Sequence, residues 1–133
     1  MRRSSLPFAA TLLLVALNAY GHHSLASSYD SSRQLTLEGV VAEFHFVHPH
    51  PYLVIGVQGE GGTREAWRAE MDNRFELSDI GVTAETFKPG DRVTFSGSAG
   101  RTPLTIYVWR LDRPSDGLRY EQIGSTPHIK LPG

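Results

Sequence analysis

Histidine is the residue type whose number and spacing in this chain could most directly support chemistry. Five of the six histidines lie in two clusters, with His22 and His23 near the start and His45, His48 and His50 farther along. A neutral imidazole nitrogen is a ligand for copper, nickel and zinc. The clusters therefore predict a metal site, to which we assign His22, His23, His48 and His50.

The first cluster follows a segment with the pattern of a signal peptide. Two arginines precede an apolar run over residues 6–17, and the small residues Ala19 and Gly21 suit a cleavage site. The alternative, a transmembrane anchor, is disfavoured because the run is shorter than the roughly 20 apolar residues that a span requires. We therefore expect cleavage of residues 1–21 and a periplasmic or secreted mature protein without a membrane span.

Cleavage after Gly21 makes His22 the first residue of the mature chain. Its α-amine and its Nδ1 can close a chelate ring on one metal ion, and another histidine can supply a third nitrogen. All-nitrogen ligation suits Cu(II) best, with Ni(II) and Zn(II) behind it. The pKa of an α-amine is ordinarily about 7.7–8.0, so a metal displaces its proton near neutral pH at small cost. Copper is thus the first candidate cofactor.

The second cluster contains the sequence His48-Pro49-His50-Pro51. A residue before proline is biased towards extended backbone. Residues two apart in an extended segment point to the same side, so His48 and His50 are predicted to project together. His45 is an odd number of positions away and is predicted to face the other way.

Simpler interpretations of the histidines stay open. A pair of histidines after a signal peptide can be a polar, flexible start of the chain. His48 and His50 can be turn residues that satisfy backbone groups at the end of a strand. The two clusters can also act separately, without forming a single site.

Aromatic and acidic residues give weaker signals. Four aromatic residues could stack on a ligand, but their strand spacing is more typical of a core: Phe44, Phe46, Trp67 and Trp109. Glu70 is expected to pair with Arg68 or Arg110 on the surface. Nothing in the spacing of the carboxylates indicates an acid/base pair.

Composition excludes several classes of function. The chain has no cysteine, which excludes disulfides, lipid attachment through cysteine, a cysteine nucleophile and cysteine-ligated structural zinc. Without the two arginines of the signal peptide, 11 basic residues face 14 acidic ones, a net charge of −3. An acidic chain lacks the excess of positive charge with which proteins bind nucleic acid. The glycine-rich segment 59–62 lacks the lysine of a phosphate-binding loop.

The elements that must position the histidines are predicted to be β-strands. We expect an extended arm over residues 22–34, a barrel domain over 35–113 and a loosely ordered tail over 114–133, with one short edge strand at 118–121. The predicted strands cover residues 35–46, 52–57, 65–71, 92–97 and 104–111, with helix-like content over 73–87. A change of phase at Gly39 indicates a β-bulge in the first strand.

Three strands, a helical connector and two further strands is the order of a five-stranded Greek-key barrel of the OB type. The sequence therefore predicts a small all-β, OB-like barrel. An antiparallel sandwich is the alternative fold.

Several motifs resemble a family of small exported bacterial proteins of unknown function with an OB-like barrel. The matching segments cover residues 22–24 (His-His-Ser), 44–50 (aromatic strand to Pro-His), 67–70 (Trp-x-x-Glu) and 88–91 (Lys-Pro-Gly-Asp). His48 stands where the family usually has Asn, which adds an imidazole. The resemblance extends over about residues 22–111. It implies the fold and export, and brings no activity with it.

Three functions from different classes remain. The first is a periplasmic metal-binding module, copper first, that carries or buffers the ion. The alternative is a non-enzymatic module that binds a ligand or a protein partner through the barrel face. An enzyme that activates oxygen on copper ranks last, because no substrate surface or open coordination position can be identified, and we expect no catalytic residues.

Overall fold

The computed structural model describes residues 25–133, which form a domain built mostly of β-strands. Residues 25–28 are helical and lead directly into the first strand. The strands are β1 (Tyr29–His45), β2 (Tyr52–Gln58), β3 (Arg64–Glu70), β4 (Arg92–Gly100), β5 (Thr105–Arg113), β6 (Leu118–Ile123) and β7 (Thr126–Lys130). A 3-10 turn, Glu60–Gly62, joins β2 to β3, and helix α1 (Arg74–Asp79) lies between β3 and β4.

Five of these strands close a barrel. The sheet has the order β3-β2-β1-β4-β5-β6-β7, and β3 also pairs with β5 in parallel, which joins the ends of the β3-β2-β1-β4-β5 series. With α1 between β3 and β4, this is the predicted OB-like Greek-key order. The all-β barrel with a helical connector is therefore confirmed.

Strand β1 serves two sides of the barrel, because its first half pairs with β4 and its second half with β2. The bulge in its pairing with β2 lies between Val41 and Glu43, and the pairing with β4 is continuous through Gly39. The bulge predicted at Gly39 was therefore misplaced. Gly39 instead permits a close approach of strands, since a Cβ there would lie 2.5 Å from the carbonyl oxygen of Gly56.

The core fills the barrel and contains side chains from every strand except β7. Its largest fully buried side chains include Phe95, Leu53, Ile55, Ile106 and Leu111. Three of the aromatic residues predicted to be core, Phe44, Phe46 and Trp67, are partly buried against it. Trp109 is not part of this cluster and donates its indole N–H to Ser98 Oγ at 2.7 Å. The core prediction thus holds for three of the four aromatic residues.

The C-terminal segment differs from the prediction of a loosely ordered tail. Residues 118–130 form a hairpin of β6 and β7 that extends the sheet, and the expected edge strand corresponds to the first four residues of β6. Leu118 and Tyr120 are buried in the core. The hairpin is therefore an integral part of the domain, because these two side chains remove a large apolar area from water.

The N-terminal arm also differs from its prediction where the structure describes it. Strand β1 begins at Tyr29, six residues before the predicted start of the barrel domain, and residues 25–28 are helical and not extended. The predicted signal peptide, His22 and His23 lie outside the described residues. Within residues 25–133, no helix is both long enough and apolar enough to cross a membrane.

Candidate functional site

The loop between β1 and β2, residues 46–51, places two of the predicted metal ligands. The carbonyl oxygen of Pro51 accepts a hydrogen bond from Met71 N at 2.9 Å, and that of Pro49 accepts one from Arg74 N at 3.1 Å. These bonds attach the loop to the end of β3 and the start of α1. The peptide bond between His48 and Pro49 is cis. The loop is thus held by the backbone of the neighbouring strand and helix.

His50 is held by one ring nitrogen only. Its Nδ1 lies 2.8 Å from the carbonyl oxygen of Met71. A carbonyl oxygen can only accept, so Nδ1 carries the proton and donates. The neutral ring then has its lone pair on Nε2, the nitrogen available to a metal ion. His50 is half-buried, and its orientation is fixed by this bond.

His48 has different neighbours. Its ring packs at 4.8 Å from the ring of Phe75, on the first turn of α1, and Phe75 is 72% exposed. His48 itself is exposed. The expectation that His48 and His50 project together follows the alternation of a regular strand, but both lie in a loop that separates two strands. Each imidazole therefore contacts a different part of the β3–α1 connection.

His45 lies at the end of β1 on the outside of the barrel. Its ring stacks on Tyr52 with a centroid separation of 4.5 Å and an angle of 12°. Its Nε2 lies 2.8 Å from Glu43 Oε2. The guanidinium of Arg68 lies 3.6 Å from the centroid of the Tyr52 ring. His45 is thus part of an outer stack with Tyr52 and Arg68, separate from the contacts of His50.

Glu70 connects the loop to the start of the described chain. Its Oε1 lies 3.9 Å from His50 Nδ1, and its Oε2 accepts a hydrogen bond from the hydroxyl of Tyr29. The expected pairing of Glu70 with Arg68 or Arg110 was wrong, because Arg68 lies over Tyr52 and Arg110 pairs with Asp112. Burial, followed by the hydrogen bond to Glu70, raises the pKa of Tyr29 well above its ordinary value.

Two further contacts fix the chain before Tyr29. The backbone N–H of Arg101 donates to Ser28 O at 2.9 Å, and Nη2 of its side chain donates to Ala26 O at 3.3 Å. Tyr29 also packs edge-on against Tyr107 at 5.5 Å. Sequence reasoning missed Tyr29 because it treated residues 22–34 as an arm. The alternating pattern of the following strand gave no signal that a residue so early in the chain would contact Glu70.

The described residues do not by themselves complete a metal site. Within residues 25–133, no group of three or more His, Cys, Asp or Glu side chains is arranged to hold a metal ion. Of the four predicted ligands, His48 and His50 lie at the same loop with different contacts. His22 and His23 lie outside the described part of the chain. What the arrangement provides is one oriented imidazole next to the docked start of β1.

Comparison with known proteins places the chain in a family. No curated protein sequence matches it. Among solved structures, the crystal structure of the ZRD-deleted mutant of TiaS in complex with agmatine is similar to it, with a TM-score of 0.44 and 14% identity. That match covers 77% of this chain and 27% of the TiaS chain, so the domain spans about a quarter of that protein. A family model matches residues 10–105, and the chain thus belongs to DUF6152, a family of unknown function.

Proposed function

We propose that this protein is exported and binds a metal ion, copper first, as a carrier or buffer module. His50 is the anchoring ligand in this proposal, and the α-amine and imidazole of His22 complete the ligand set, with His23 and His48 as further donors. The observation that carries the proposal is the hydrogen bond from His50 Nδ1 to the carbonyl oxygen of Met71.

This hydrogen bond is what a metal-ligating histidine normally has. Such a histidine almost always donates its second ring N–H to a carboxylate or backbone carbonyl, which fixes the tautomer and the ring orientation. His50 meets this condition through Met71, and Glu70 at 3.9 Å adds a negative charge beside the ring. A carboxylate near the ligand favours a bound cation.

The contact between Tyr29 and Glu70 supports the participation of the N-terminal histidines. It fixes the chain beside the carboxylate that neighbours His50. His22 stands seven positions before Tyr29, and a fully extended segment of that length would span about 23 Å at about 3.3 Å per residue. Residues 25–28 are helical and rise only about 1.5 Å each, so the actual reach is shorter. Binding of one ion by His22 and His50 therefore closes a loop that is shorter than the whole predicted arm. The entropic cost of closing this loop is smaller for that reason.

The ligand chemistry favours copper. Nitrogen ligands bind divalent first-row metals in an order that rises to Cu(II) and falls again at Zn(II). The described residues contain no cysteine, so thiolate ligation cannot contribute. His48 is exposed, and an exposed ring can leave Phe75 by a rotamer change on a fast timescale.

Calorimetry with the mature protein tests the proposal. Protein that begins at His22, as verified by N-terminal sequencing of material recovered from the periplasm, is titrated with Cu(II). His50→Ala is expected to weaken binding by well over tenfold, and one residue added before His22 is expected to weaken it too. His128→Ala is the matched control, because His128 is exposed on β7 and lies outside the loop.

Two outcomes would contradict this assignment. Unchanged affinity in the His50→Ala variant would leave only a peptide chelate at the N-terminus. An equal loss in the His128→Ala variant would indicate unspecific binding to surface histidines.

The outer face of the barrel supports a second candidate, a non-enzymatic module that binds a ligand or a protein. The supporting observation is the stack of His45, Tyr52 and Arg68, since OB barrels bind their ligands on the face of strands 2 and 3. This candidate becomes the preferred one if neither His50 nor the N-terminal amine contributes to Cu(II) affinity.

A further inference from the structure

A groove of about 850 Å³ lies on the outside of the barrel, at the other end of β2 and β3 from His50. Its walls come from the four strands β1 to β4. We call it the arginine groove after Arg64 and Arg92, and its other polar side chains are Thr36, Glu38, Gln58 and Thr94. The volume is in the range of sites that enclose a small organic ligand.

The two arginines lack partners within the described chain. Neither guanidinium forms an ion pair with any residue of 25–133, in contrast to Arg110, Arg113 and Arg119, which all pair with aspartates. Glu38, in the same groove, also forms no ion pair with a described residue. The groove therefore presents two guanidinium groups and one carboxylate, all of which can bind an external molecule.

The strand register sets the positions of the two arginines around the floor of the groove. Arg92 is opposite Val40, Val40 is opposite Gly56, and Gly56 has no side chain to fill the floor. The Cδ of Arg64 lies 3.6 Å from the point where a Cβ of residue 56 would be. The stem of Arg64 therefore passes over Gly56, which forms part of the floor between the two arginines.

Most of the backbone of the groove is already hydrogen-bonded. Strands β1, β2 and β4 each pair with a neighbour on both sides. They offer no free edge to which a peptide could add as a further strand. On these three strands a ligand must therefore be recognised by side chains, namely guanidinium, hydroxyl, amide and carboxylate groups, whereas residues 64–67 of β3 pair with β2 only.

We propose that the arginine groove binds an acidic oligosaccharide. The planar guanidinium groups of Arg64 and Arg92 can each donate two parallel hydrogen bonds to one sugar carboxylate. Sugar hydroxyls can donate to Glu38 and exchange hydrogen bonds with Thr94 and Gln58. The site is independent of the proposed metal ligands, because it is lined by different residues at the other end of the strands.

Titration calorimetry of the mature protein with trigalacturonate at low ionic strength tests this site. We expect trigalacturonate to bind and neutral maltotriose not to bind. Arg64→Gln and Arg92→Gln are each expected to weaken binding by about tenfold, the effect of one lost charge-assisted contact. Arg33→Gln is the matched control, since Arg33 is exposed on β1 outside the groove. The affinity of this variant for trigalacturonate should stay within about twofold of the wild-type value.

Three results would overturn the proposal. The first is an absence of trigalacturonate binding to the wild-type protein. The second is an equal loss in the Arg33→Gln variant, which would indicate attraction by net charge alone. The third is equally tight binding of triglutamate, which would show that the sugar hydroxyls are not recognised. The variants change exposed side chains, so thermal unfolding serves to confirm that each remains folded.

Discussion

Two polar networks of this domain differ in how many of their hydrogen-bonding groups have a partner within the protein. Arg113 donates through all three of its nitrogens, to Thr86 O at 2.6 Å, to Asp91 Oδ2 at 2.8 Å and to both oxygens of Asp116. His50 donates through Nδ1 to Met71 and leaves Nε2 without a protein partner among the described residues. A network in which every nitrogen of the guanidinium donates to the protein stabilises the fold. A network that orients a ring and leaves its lone pair accessible is suited to bind something else.

The two networks also join different segments of the chain. Arg113 ends β5 and joins the turn before β4 to the turn after β5. The network of His50 joins the loop before β2, the end of β3 and the start of β1. The first network holds two turns against the end of β5. The second brings the start of β1 close to an oriented imidazole.

The largest effect on stability is expected from Arg113→Met. The change leaves Asp91 and Asp116 without their guanidinium, and we expect a loss of about 2 kcal/mol in the free energy of unfolding. Urea denaturation measures it. The matched control is Arg119→Gln, whose exposed ion pair with Asp112 should contribute no more than about 1 kcal/mol. Equal losses in the two variants would remove the distinction between a structural network and a surface ion pair.

Acid should weaken the same network. The hydrogen bond from Arg113 holds the pKa of Asp116 below its ordinary value. Because the folded pKa is lower than the unfolded one, the stabilisation is complete above the unfolded pKa of about 3.9 and is lost as the pH falls through the folded pKa. The difference in unfolding free energy between wild type and Arg113→Met should therefore be constant near neutral pH and shrink below about pH 4. A constant difference down to pH 2 would contradict this role of the carboxylate.

A smaller effect is expected from Tyr29→Phe. The variant removes the hydrogen bond to Glu70 and keeps the edge-on contact with Tyr107, so the loss in stability should be about 1 kcal/mol. Hydrogen exchange of the amides of residues 28–30 should become faster if this bond docks the start of β1. Tyr52→Phe is the control, since the hydroxyl of Tyr52 makes no hydrogen bond within residues 25–133. Unchanged exchange in Tyr29→Phe would show that the docking rests on Arg101 and on the pairing of β1 with β4.

Much of the fold could be predicted from the sequence, because alternation of apolar residues reports which face of a strand is buried. The barrel order and the helical connector followed from this pattern. The tail was misjudged because six of its 20 residues are glycine or proline, and Pro127 weakened the signal of β7. That proline is compatible with β7 because the strand pairs only with β6 and is an edge of the sheet.

The candidate site was less predictable. The loop histidines could be selected by residue type, but the bond between His50 and Met71 joins residues 21 positions apart, and that between Tyr29 and Glu70 joins residues 41 apart. Local spacing carries no information about such contacts. The i, i+2 rule also did not apply to His48 and His50, because their backbone is a loop and not a strand.

The central claim, that His50 is a ligand to bound copper through Nε2, is tested most directly by electron paramagnetic resonance. One equivalent of Cu(II) is added to the mature protein, and the nitrogen hyperfine structure reports the number of nitrogen ligands. The account predicts at least three nitrogens in the wild type and in His128→Ala, and one fewer in His50→Ala. An identical spectrum in His50→Ala would contradict it.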